Sequence, residues 1–413
     1  MAGDAGLAWG RSESMLGVQM TFGTLAVISL IALLGPLLAL PRRWNLPVVL
    51  GELIAGIVLG PTGFSWLHAQ DNTLTFLAQI GFVLVMFVAG SHVPVHDPHL
   101  RAALRIGTIR AIAVGVVAAL FGVVVAKIFG TGHAALYAIL MASSSAALIL
   151  PIVQSLRLGG AQVLQMMPQV AIADTACIVA LPLVIDPQHA GRAALGAAAV
   201  LVSAAVLFVV LRYLERNGIR KRAHGISEER KFALELRMNL AALFALAALA
   251  TRTHVSIMLA GFAFGVAVAL VGEPRRLARQ LFAVTEGFLG PLFFVWLGAS
   301  LDLRELGHHP SFVLLGLMLG VGSVAAHVAM RLIGQSSSIA ALTSAQLGVP
   351  VAAATVGSQL HLLQPGEPAA LILGALVTIG VAAAAGALAA RSGLTTAADA
   401  LAPEKPVTRA DSS

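Results

Sequence analysis

The sequence predicts an all-α polytopic membrane protein with about 13 transmembrane helices in two inverted-topology repeats. Hydrophobic residues make up 58% of the 413 residues and charged residues only 11%, against about 25% charged in a soluble domain. Apolar runs of about 20 residues recur along the chain, and each is long enough to cross a bilayer. A long basic loop near mid-chain separates two sets of these runs.

The apolar runs divide the chain into two repeats and a linker. The first repeat, 1–185, has predicted spans at 18–40, 46–63, 74–93, 106–128, 134–156 and 163–185. The linker, 186–232, contains a span at 193–213 and the basic loop. The second repeat, 233–390, has predicted spans at 233–250, 254–271, 281–300, 312–333, 337–361 and 368–390, and a short tail follows at 391–413. Spans at corresponding places in the two repeats run in opposite directions, which is the plan of many secondary transporters.

Basic residues predict the orientation of the spans. Seven lie between Arg212 and Lys231, and most others fall in loops on the same side, so the sequence predicts a cytoplasmic C-terminus and an outside N-terminus. The formal net charge of +7 therefore reports membrane orientation, and we expect no nucleic-acid partner. The single cysteine, Cys177, excludes an intrachain disulfide and a multi-cysteine metal site.

Asp174 lies in the middle of the apolar run from Val163 to Ile185, and no other charge falls in that run. A carboxylate at membrane depth is costly unless it is protonated, bound to an ion or facing a watery cavity. Such a residue is a functional-site candidate by default. The alternative is a structural acid that forms hydrogen bonds between packed helices.

Two spans carry interruptions at corresponding positions of the two repeats. The interruptions are Ser143, Ser144 and Ser145 in span 134–156 and Gly348, Val349 and Pro350 in span 337–361. Paired interruptions indicate a binding site at the midplane, although each one alone is also compatible with close helix packing. Freed carbonyls and hydroxyls are hard oxygen ligands that suit a dehydrated alkali cation. The predicted ion-binding residues are Asp174, Ser143, Ser144 and Ser145.

Several segments resemble signatures of the monovalent cation/proton antiporters, in the branch with Kef-type potassium-efflux and Nap-type sodium antiporters. The segments are PVVLGELIAGIVLGP at 47–61, IGFVLVMFVAG at 80–90, IADTACI at 172–178, LAGFAFG at 259–265 and FLGPLFFVWLG at 288–298. The first and last of these segments are fairly specific in combination. The resemblance extends from about residue 18 to 390 and covers the membrane domain only.

The resemblance implies a more detailed architecture. Spans in 18–93 and 233–300 would form a dimerisation panel, and spans in 106–185 and 312–390 would form a core. The two discontinuous helices would cross beside Asp174, and transport would follow an elevator-like movement of the core against the panel. The resemblance also implies a homodimer in the inner (plasma) membrane of a bacterium.

Departures from the family pattern concern the polar positions. Ala173 stands where many members have a second polar residue before the aspartate, and the region of span 312–333 that carries a lysine in some members holds His327 about one turn away. Glu52 and His327 are possible pathway or pH-linked residues; Glu52 is equally compatible with helix packing, whereas a lone helical histidine such as His327 is more often packed or hydrogen-bonded. With one central carboxylate, we predict electroneutral exchange of one cation for one proton.

The leading hypothesis is a transporter that exchanges Na⁺ or K⁺ for protons, which compete at Asp174. The alternatives are a sodium-coupled organic-anion symporter and a transport-inactive sensor that kept the fold. An enzyme is not expected, because the sequence has no nucleophile–base pair, nucleotide loop or metal-binding cluster. No cofactor is predicted apart from the transported ions, and the predicted partners are these ions, the bilayer and a second copy of the chain.

Overall fold

All elements in the described parts of the chain are helices. The computed structural model describes residues 21–40, 48–91, 100–185, 190–218, 233–253, 255–272, 275–300 and 310–394, together with 304 and 307. Most of the predicted basic loop and most of the predicted tail at 391–413 lie outside these residues.

The first predicted repeat and the linker form a run of helices that follows the predicted spans. The helices are α1 (Phe22–Ala32), α2 (Leu34–Ala39), α3 (Val48–Leu59), α4 (Asn72–Ser91), α5 (Leu100–Phe129), α6 (Ala134–Ala142), α7 (Ala146–Ser155), α8 (Ala161–Ile185) and α9 (Ala190–Arg216). The span predicted at 134–156 is therefore two helices, α6 and α7, which are separated at the three serines as the sequence predicts.

The second predicted repeat shows the same correspondence. Its helices are α10 (Leu234–Arg252), α11 (Ile257–Val271), α12 (Arg275–Val284), α13 (Gly290–Ala299), α14 (Pro310–Val328), α15 (Ser337–Leu342), α16 (Gly348–Gln359) and α17 (Glu367–Arg391). A π-helical turn, Thr285–Leu289, joins α12 to α13, and a 3₁₀ turn, Ala329–Ile333, extends α14. The span predicted at 337–361 is again a pair of helices, α15 and α16.

The length and composition of the helices confirm a multi-pass membrane protein. Over the described residues, nine helical spans are long and apolar enough to cross a membrane, and shorter apolar helices lie at Phe22–Leu38, Val48–Leu59, Ile257–Val271 and Gly348–Ser358. A full crossing needs about 20 residues. The count of 13 crossings therefore stays a prediction.

Helices α1–α4 and α10–α13, here called the panel helices, pack through glycine. A Cβ added at Gly56 of α3 would lie 2.1 Å from the carbonyl oxygen of Val295 in α13, and one added at Gly265 of α11 would lie 2.2 Å from that of Phe87 in α4. The backbones of these helix pairs therefore touch, as is typical of membrane helices with small residues at their contacts. Phe82 and Phe293 stack beside these contacts, with ring centroids 4.6 Å apart.

Helices α5–α8 and α14–α17, here called the core helices, surround the two interruptions. Here too glycine allows close approach, since a Cβ at Gly122 of α5 would lie 2.6 Å from the carbonyl oxygen of Ala134 in α6. The core helices differ from the panel helices in what they bury. Their centre holds serine, threonine, glutamine and histidine side chains as well as Asp174.

Candidate ion-binding site

The two interruptions meet in the middle of the core helices. The amide nitrogen of Ser145 donates to the carbonyl oxygen of Ala345 at 2.7 Å, and the Ser144 hydroxyl donates to the carbonyl oxygen of Thr343 at 2.7 Å. These contacts join the break between α6 and α7 to the break between α15 and α16. Backbone groups that leave a helical ladder at membrane depth need such partners, because lipid offers none.

Asp174 of α8 lies at the start of α7. Its Oδ2 accepts a hydrogen bond of 3.0 Å from the amide of Ala146, the first residue of that helix. Ser145 holds the N-cap position but makes no side-chain capping bond, so a carboxylate from the neighbouring helix does the capping. The positive end of a helix dipole favours negative charge. The side chain is 2% exposed, which places one carboxylate inside the bundle where the two breaks meet.

His327 of α14 contacts the same cluster and is 1% exposed. Its Nε2 lies 3.3 Å from the hydroxyl oxygen of Ser144, and its Nδ1 lies 3.0 Å from the carbonyl oxygen of Ser323. A carbonyl can only accept, so Nδ1 carries a proton in this arrangement. If the ring is neutral, Nε2 accepts the Ser144 proton and Ser144 no longer donates to Thr343; if the ring is protonated, Nε2 donates to Ser144 while Ser144 donates to Thr343. The contacts accommodate both charge states of His327.

A second set of hydrogen bonds holds the break before α16. The Gln346 side-chain amide donates to the Ser323 hydroxyl at 2.5 Å, and that hydroxyl donates to the carbonyl oxygen of Met141 at 3.1 Å. The Gln346 amide nitrogen also donates to the Thr378 hydroxyl of α17 at 3.2 Å. The break is therefore tied to α6, α14 and α17.

A comparison with known protein families identifies the chain. Residues 29–387 match the family model described as sodium/hydrogen exchanger, transmembrane. The chain belongs to the sodium/hydrogen exchanger family. The resemblance to monovalent cation/proton antiporters is therefore confirmed.

Curated relatives of this exchanger-family chain carry antiporter names. The chain is 25% identical over 377 residues to the putative Na⁺/H⁺ antiporter YjbQ of Bacillus subtilis, covering 86% of this chain and 61% of that protein. It is 25% identical over 337 residues to the probable Na⁺/H⁺ antiporter 3 of Methanocaldococcus jannaschii, covering 78% and 85%. It is 28% identical over 288 residues to the glutathione-regulated potassium-efflux protein KefC of an Enterobacter species, covering 67% and 45%. The chain thus spans less than two thirds of the Bacillus and Enterobacter relatives.

A solved structure has the same fold. The sodium proton antiporter MjNhaP1 of Methanocaldococcus jannaschii at pH 8 superposes with a TM-score of 0.62 at 16% sequence identity. The match covers 89% of this chain and 96% of that chain. At this identity the likeness concerns the fold, and it agrees with the predicted fold class.

The position of the second interruption needs a correction. The sequence places the break at Gly348, Val349 and Pro350, whereas the non-helical stretch lies at 343–347 and these three residues form the first turn of α16. Proline is tolerated in the first turn, because the amide it lacks would have no helical partner there. The Gly-Val-Pro run therefore marks where the second half-helix begins.

Gly348 also lies where a core helix touches the panel helices. A Cβ added there would lie 2.2 Å from the sulfur of Met258 in α11 and 3.4 Å from Cζ of Phe82 in α4. Met258 is fully buried. The backbone of α16 at Gly348 is therefore in contact with panel side chains, and there is no room for a larger residue at this position.

The other predicted site residues occupy different positions. The Ser143 hydroxyl donates to the carbonyl oxygen of Leu140 within its own helix, at 2.8 Å, so Ser143 is part of the break but its proton is used locally. Glu52 of α3 is 3% exposed and lies among the panel helices. Its side chain packs against Gly35 of α2, since a Cβ added at Gly35 would lie 2.8 Å from Cγ of Glu52. The structure therefore groups Asp174, the three serines and His327, and leaves Glu52 in another part of the fold. Among the described residues, no group of three or more His, Cys, Asp or Glu side chains is arranged to hold a metal ion.

The sequence reading missed a buried acid at one end of the core helices. Oε1 of Glu367 accepts from the Tyr137 hydroxyl at 2.6 Å and lies 2.7 Å from Nδ1 of His133, and Glu367 is fully buried. The hydrogen bond that His133 donates to Glu367 raises the pKa of His133, which lies just before α6. These contacts tie the first turn of α17 to the start of α6. A glutamate at the first residue of a span looks like an interfacial cap in the sequence, and nothing nearby in the chain reveals its partner.

A cavity of about 500 Å³ lies between core and panel helices. We call it the outer cavity, because the predicted orientation puts it on the outside. Its lining comes from α8 and α16 on the core side, from α4, α11 and α13 on the panel side, and from the start of α9. Asp174 is not among its described lining residues, and the nearest of them on the same helix is Leu181, about 10 Å further along α8.

Proposed function

We propose that this chain exchanges Na⁺ or K⁺ for protons across the membrane, and that cation and proton compete for Asp174. The observation that carries this proposal is the Asp174 carboxylate at the start of α7, beside the contact between the two helix breaks. Family membership and the names of the antiporter relatives support the same activity. Proton and cation both neutralise one buried carboxylate, so binding of either excludes the other.

Oxygen atoms around Asp174 would complete the cation site. The hydroxyls of Ser143 and Ser144 donate their protons to carbonyl oxygens of Leu140 and Thr343. Their own oxygens therefore keep lone pairs for a cation. Alkali cations prefer such hard oxygen ligands. Ser145 would contribute from the same turn. Together these oxygens would replace part of the water that the cation loses when it enters the site.

We propose alternating access by movement of the core helices against the panel helices. An empty, charged carboxylate crosses an apolar environment poorly, so the loaded site would move and the empty site would stay. The panel helices would serve as the fixed part and as the dimer contact. Exposed apolar side chains on α1 and α2, among them Phe22, Leu30 and Leu37, suit lipid or a second copy. The chain would lie in a bacterial inner membrane with its N-terminus outside.

His327 would hold the first break in place. Its imidazole approaches the carbonyl oxygen of Ser323 and the hydroxyl of Ser144, whose own partner is the carbonyl of Thr343 near the end of α15. With one carboxylate as the transported group, exchange would be electroneutral, one cation for one proton.

Exchange in liposomes tests the proposal. Purified protein is reconstituted with an imposed proton gradient, Na⁺, K⁺ or Li⁺ is added in turn, and a pH-sensitive dye reports the gradient. We expect one or more of the cations to collapse the gradient with wild-type protein, and Asp174→Asn to abolish the collapse. The matched control is Asp71→Asn, which alters a carboxylate that caps α4 through the amide of Leu74 at 2.8 Å. This control is expected to keep exchange.

Two outcomes would redirect the proposal. Wild-type exchange rates in Asp174→Asn would remove Asp174 from the mechanism. Failure of every cation to collapse the gradient in folded protein would favour a sodium-coupled symporter of an organic anion or a non-transporting relative. A voltage-driven exchange would contradict the one-to-one stoichiometry alone.

A further inference from the structure

The outer cavity has walls that do not suit a cation. Its described lining is mostly apolar and includes Phe82, Phe293 and Trp296 on the panel side and Val351 and Leu181 on the core side. Among the described lining residues none is acidic, and Arg192 carries the charge. A passage that concentrates cations is expected to present negative charge, and these walls present the opposite.

Some of the polar lining groups lie where the start of α9 meets the turn before α11, and two others, Gln79 and Thr355, lie on α4 and α16. Arg192 lies in the first turn of α9, and Gly196 lies one turn later. Gly196 allows α9 to approach the turn before α11, since a Cβ added there would lie 2.8 Å from Cβ of Thr253. Ser256 lines the cavity together with Arg192, and its hydroxyl oxygen accepts from the Met258 amide at 3.3 Å while keeping its own proton to donate. A guanidinium and a hydroxyl donor of this kind hold a carboxylate by charge-assisted hydrogen bonds.

We infer that the outer cavity binds a single-chain amphiphilic carboxylate, a long-chain fatty acid, with its headgroup at Arg192 and its chain between the core and panel helices. Charge complementarity selects an anion, and the aromatic and aliphatic walls select an apolar chain. The volume favours one chain over a two-chain phospholipid, because about 300–1,000 Å³ is the usual size of a pocket that encloses one small ligand. In the predicted orientation the cavity lies in the outer half of the membrane, where a lipid-soluble ligand is available.

Such an occupant would act as a wedge between the two sets of helices. It would contact α16 and α8 on one side and α4 and α13 on the other, so it favours the arrangement in which this cavity is open. If exchange requires the core to move, the bound acid slows exchange. This consequence rests on the proposed function, whereas binding itself does not, so the two are measured separately.

Tryptophan quenching tests binding. Trp9, Trp44 and Trp66 are replaced by phenylalanine so that Trp296, a lining residue, is the fluorophore. The protein is placed in nanodiscs of unbrominated phosphatidylcholine and titrated with 9,10-dibromostearic acid. We expect saturable quenching that palmitate reverses. Arg192→Gln should weaken the apparent affinity about tenfold or more, as expected for loss of a hydrogen bond to a charged group. Arg252→Gln, a basic residue on the same side that does not line the cavity, should leave it unchanged.

Two further arms identify the ligand and guard against failure of the variant. Nanodiscs made with brominated phosphatidylglycerol and no free acid test whether a phospholipid fills the cavity instead, and selective quenching there would overturn the choice of a fatty acid. Quenching that grows linearly with acid in the bilayer and is equal in Arg192→Gln and Arg252→Gln would overturn the site. If the tryptophan variant does not fold, wild-type protein is labelled with a photoreactive fatty acid, and the crosslink is expected on residues that line the cavity in α4, α8, α11, α13 or α16 or at the start of α9. Labelling confined to residues outside this lining would contradict the proposal.

The effect on transport is read in the liposome assay with the same variants. Palmitate is expected to slow wild-type exchange several-fold and Arg192→Gln exchange much less. Binding without slowing would keep the site and reject the wedge. A chain that shows no exchange at all would leave the binding result standing while removing the proposed function.

Discussion

The panel and core helices solve the problem of packing in a membrane in different ways. In the panel, glycines such as Gly56 and Gly265 bring backbones into contact with apolar side chains around them. In the core, the tightest connections include hydrogen bonds between two unwound segments, such as that from Ser145 to Ala345. Buried polar groups are costly in lipid and are kept where they do something. The difference separates helices that pack through glycine from the helices that hold the candidate site.

The largest effect on stability is expected from a methyl group at a panel contact. Gly56→Ala places Cβ 2.1 Å from the carbonyl oxygen of Val295, and backbone on both sides cannot yield as a flexible side chain would. We expect a loss of about 3 kcal/mol, at the upper end for overpacking. The measurement is thermal or denaturant unfolding of purified protein in detergent.

Gly115→Ala is the matched control for this substitution. Gly115 lies in the core helix α5, where an added Cβ would meet nothing within 4 Å. Alanine has the higher helix propensity, so stability should rise by up to about 1 kcal/mol. Equal losses at both positions would mean that close packing of α3 on α13 is not what holds the panel together.

The contact between the two sets of helices gives the second prediction. Gly348→Ala would push against Met258 of the panel, and we expect exchange to slow several-fold, equivalent to about 1 kcal/mol in the barrier. Met258→Ala in the same chain should restore much of the rate, because the sulfur that meets the new methyl group is gone. The liposome assay measures both.

If Met258→Ala does not restore the exchange rate of Gly348→Ala, the slower exchange results from a change within α16 and not from its contact with the panel. Gly380→Ala serves as the control, since a Cβ there meets nothing within 4 Å and the residue lies on α17 of the same core. Unchanged exchange in Gly348→Ala would show that this contact does not limit movement of core against panel.

The sequence predicts the polar residues of the candidate site better than it predicts the segments that hold them in place. Asp174 and the three serines are visible because a charge and a polar run stand out in an apolar span. The second break was placed too late, because Gly348 and Pro350 are the conspicuous residues although the unwound stretch precedes them. Its own residues, 343–347, are ordinary polar and small residues whose role depends on partners in other helices.

Long-range pairing explains what the sequence could not show. His133 and Glu367 are 234 positions apart and lie at the ends of two different spans. Hydropathy locates each end but does not say which ends meet. Their contact, and that of Gly348 with the panel, follow from helix packing in three dimensions.

The third prediction tests the His133–Glu367 contact at the end of the core. The hydrogen bond that His133 donates to Glu367 raises the pKa of His133 above its usual value of about 6.5. A raised pKa means that the folded state binds the proton more tightly, so the stabilisation is full below pH 6.5 and is lost as pH rises through the pKa in the folded state. We expect His133→Gln to cost about 1–2 kcal/mol at pH 6 and less at pH 9.

Melting temperatures of wild type and His133→Gln at both pH values measure this difference. His68→Gln, on an exposed histidine outside the core, controls for the loss of an imidazole. The Tyr137 hydroxyl still donates to Glu367 in the variant, so the buried carboxylate keeps a partner and the protein should fold. A difference in melting temperature that is the same at pH 6 and pH 9 would mean that His133 stabilises the core by packing, not by its charge.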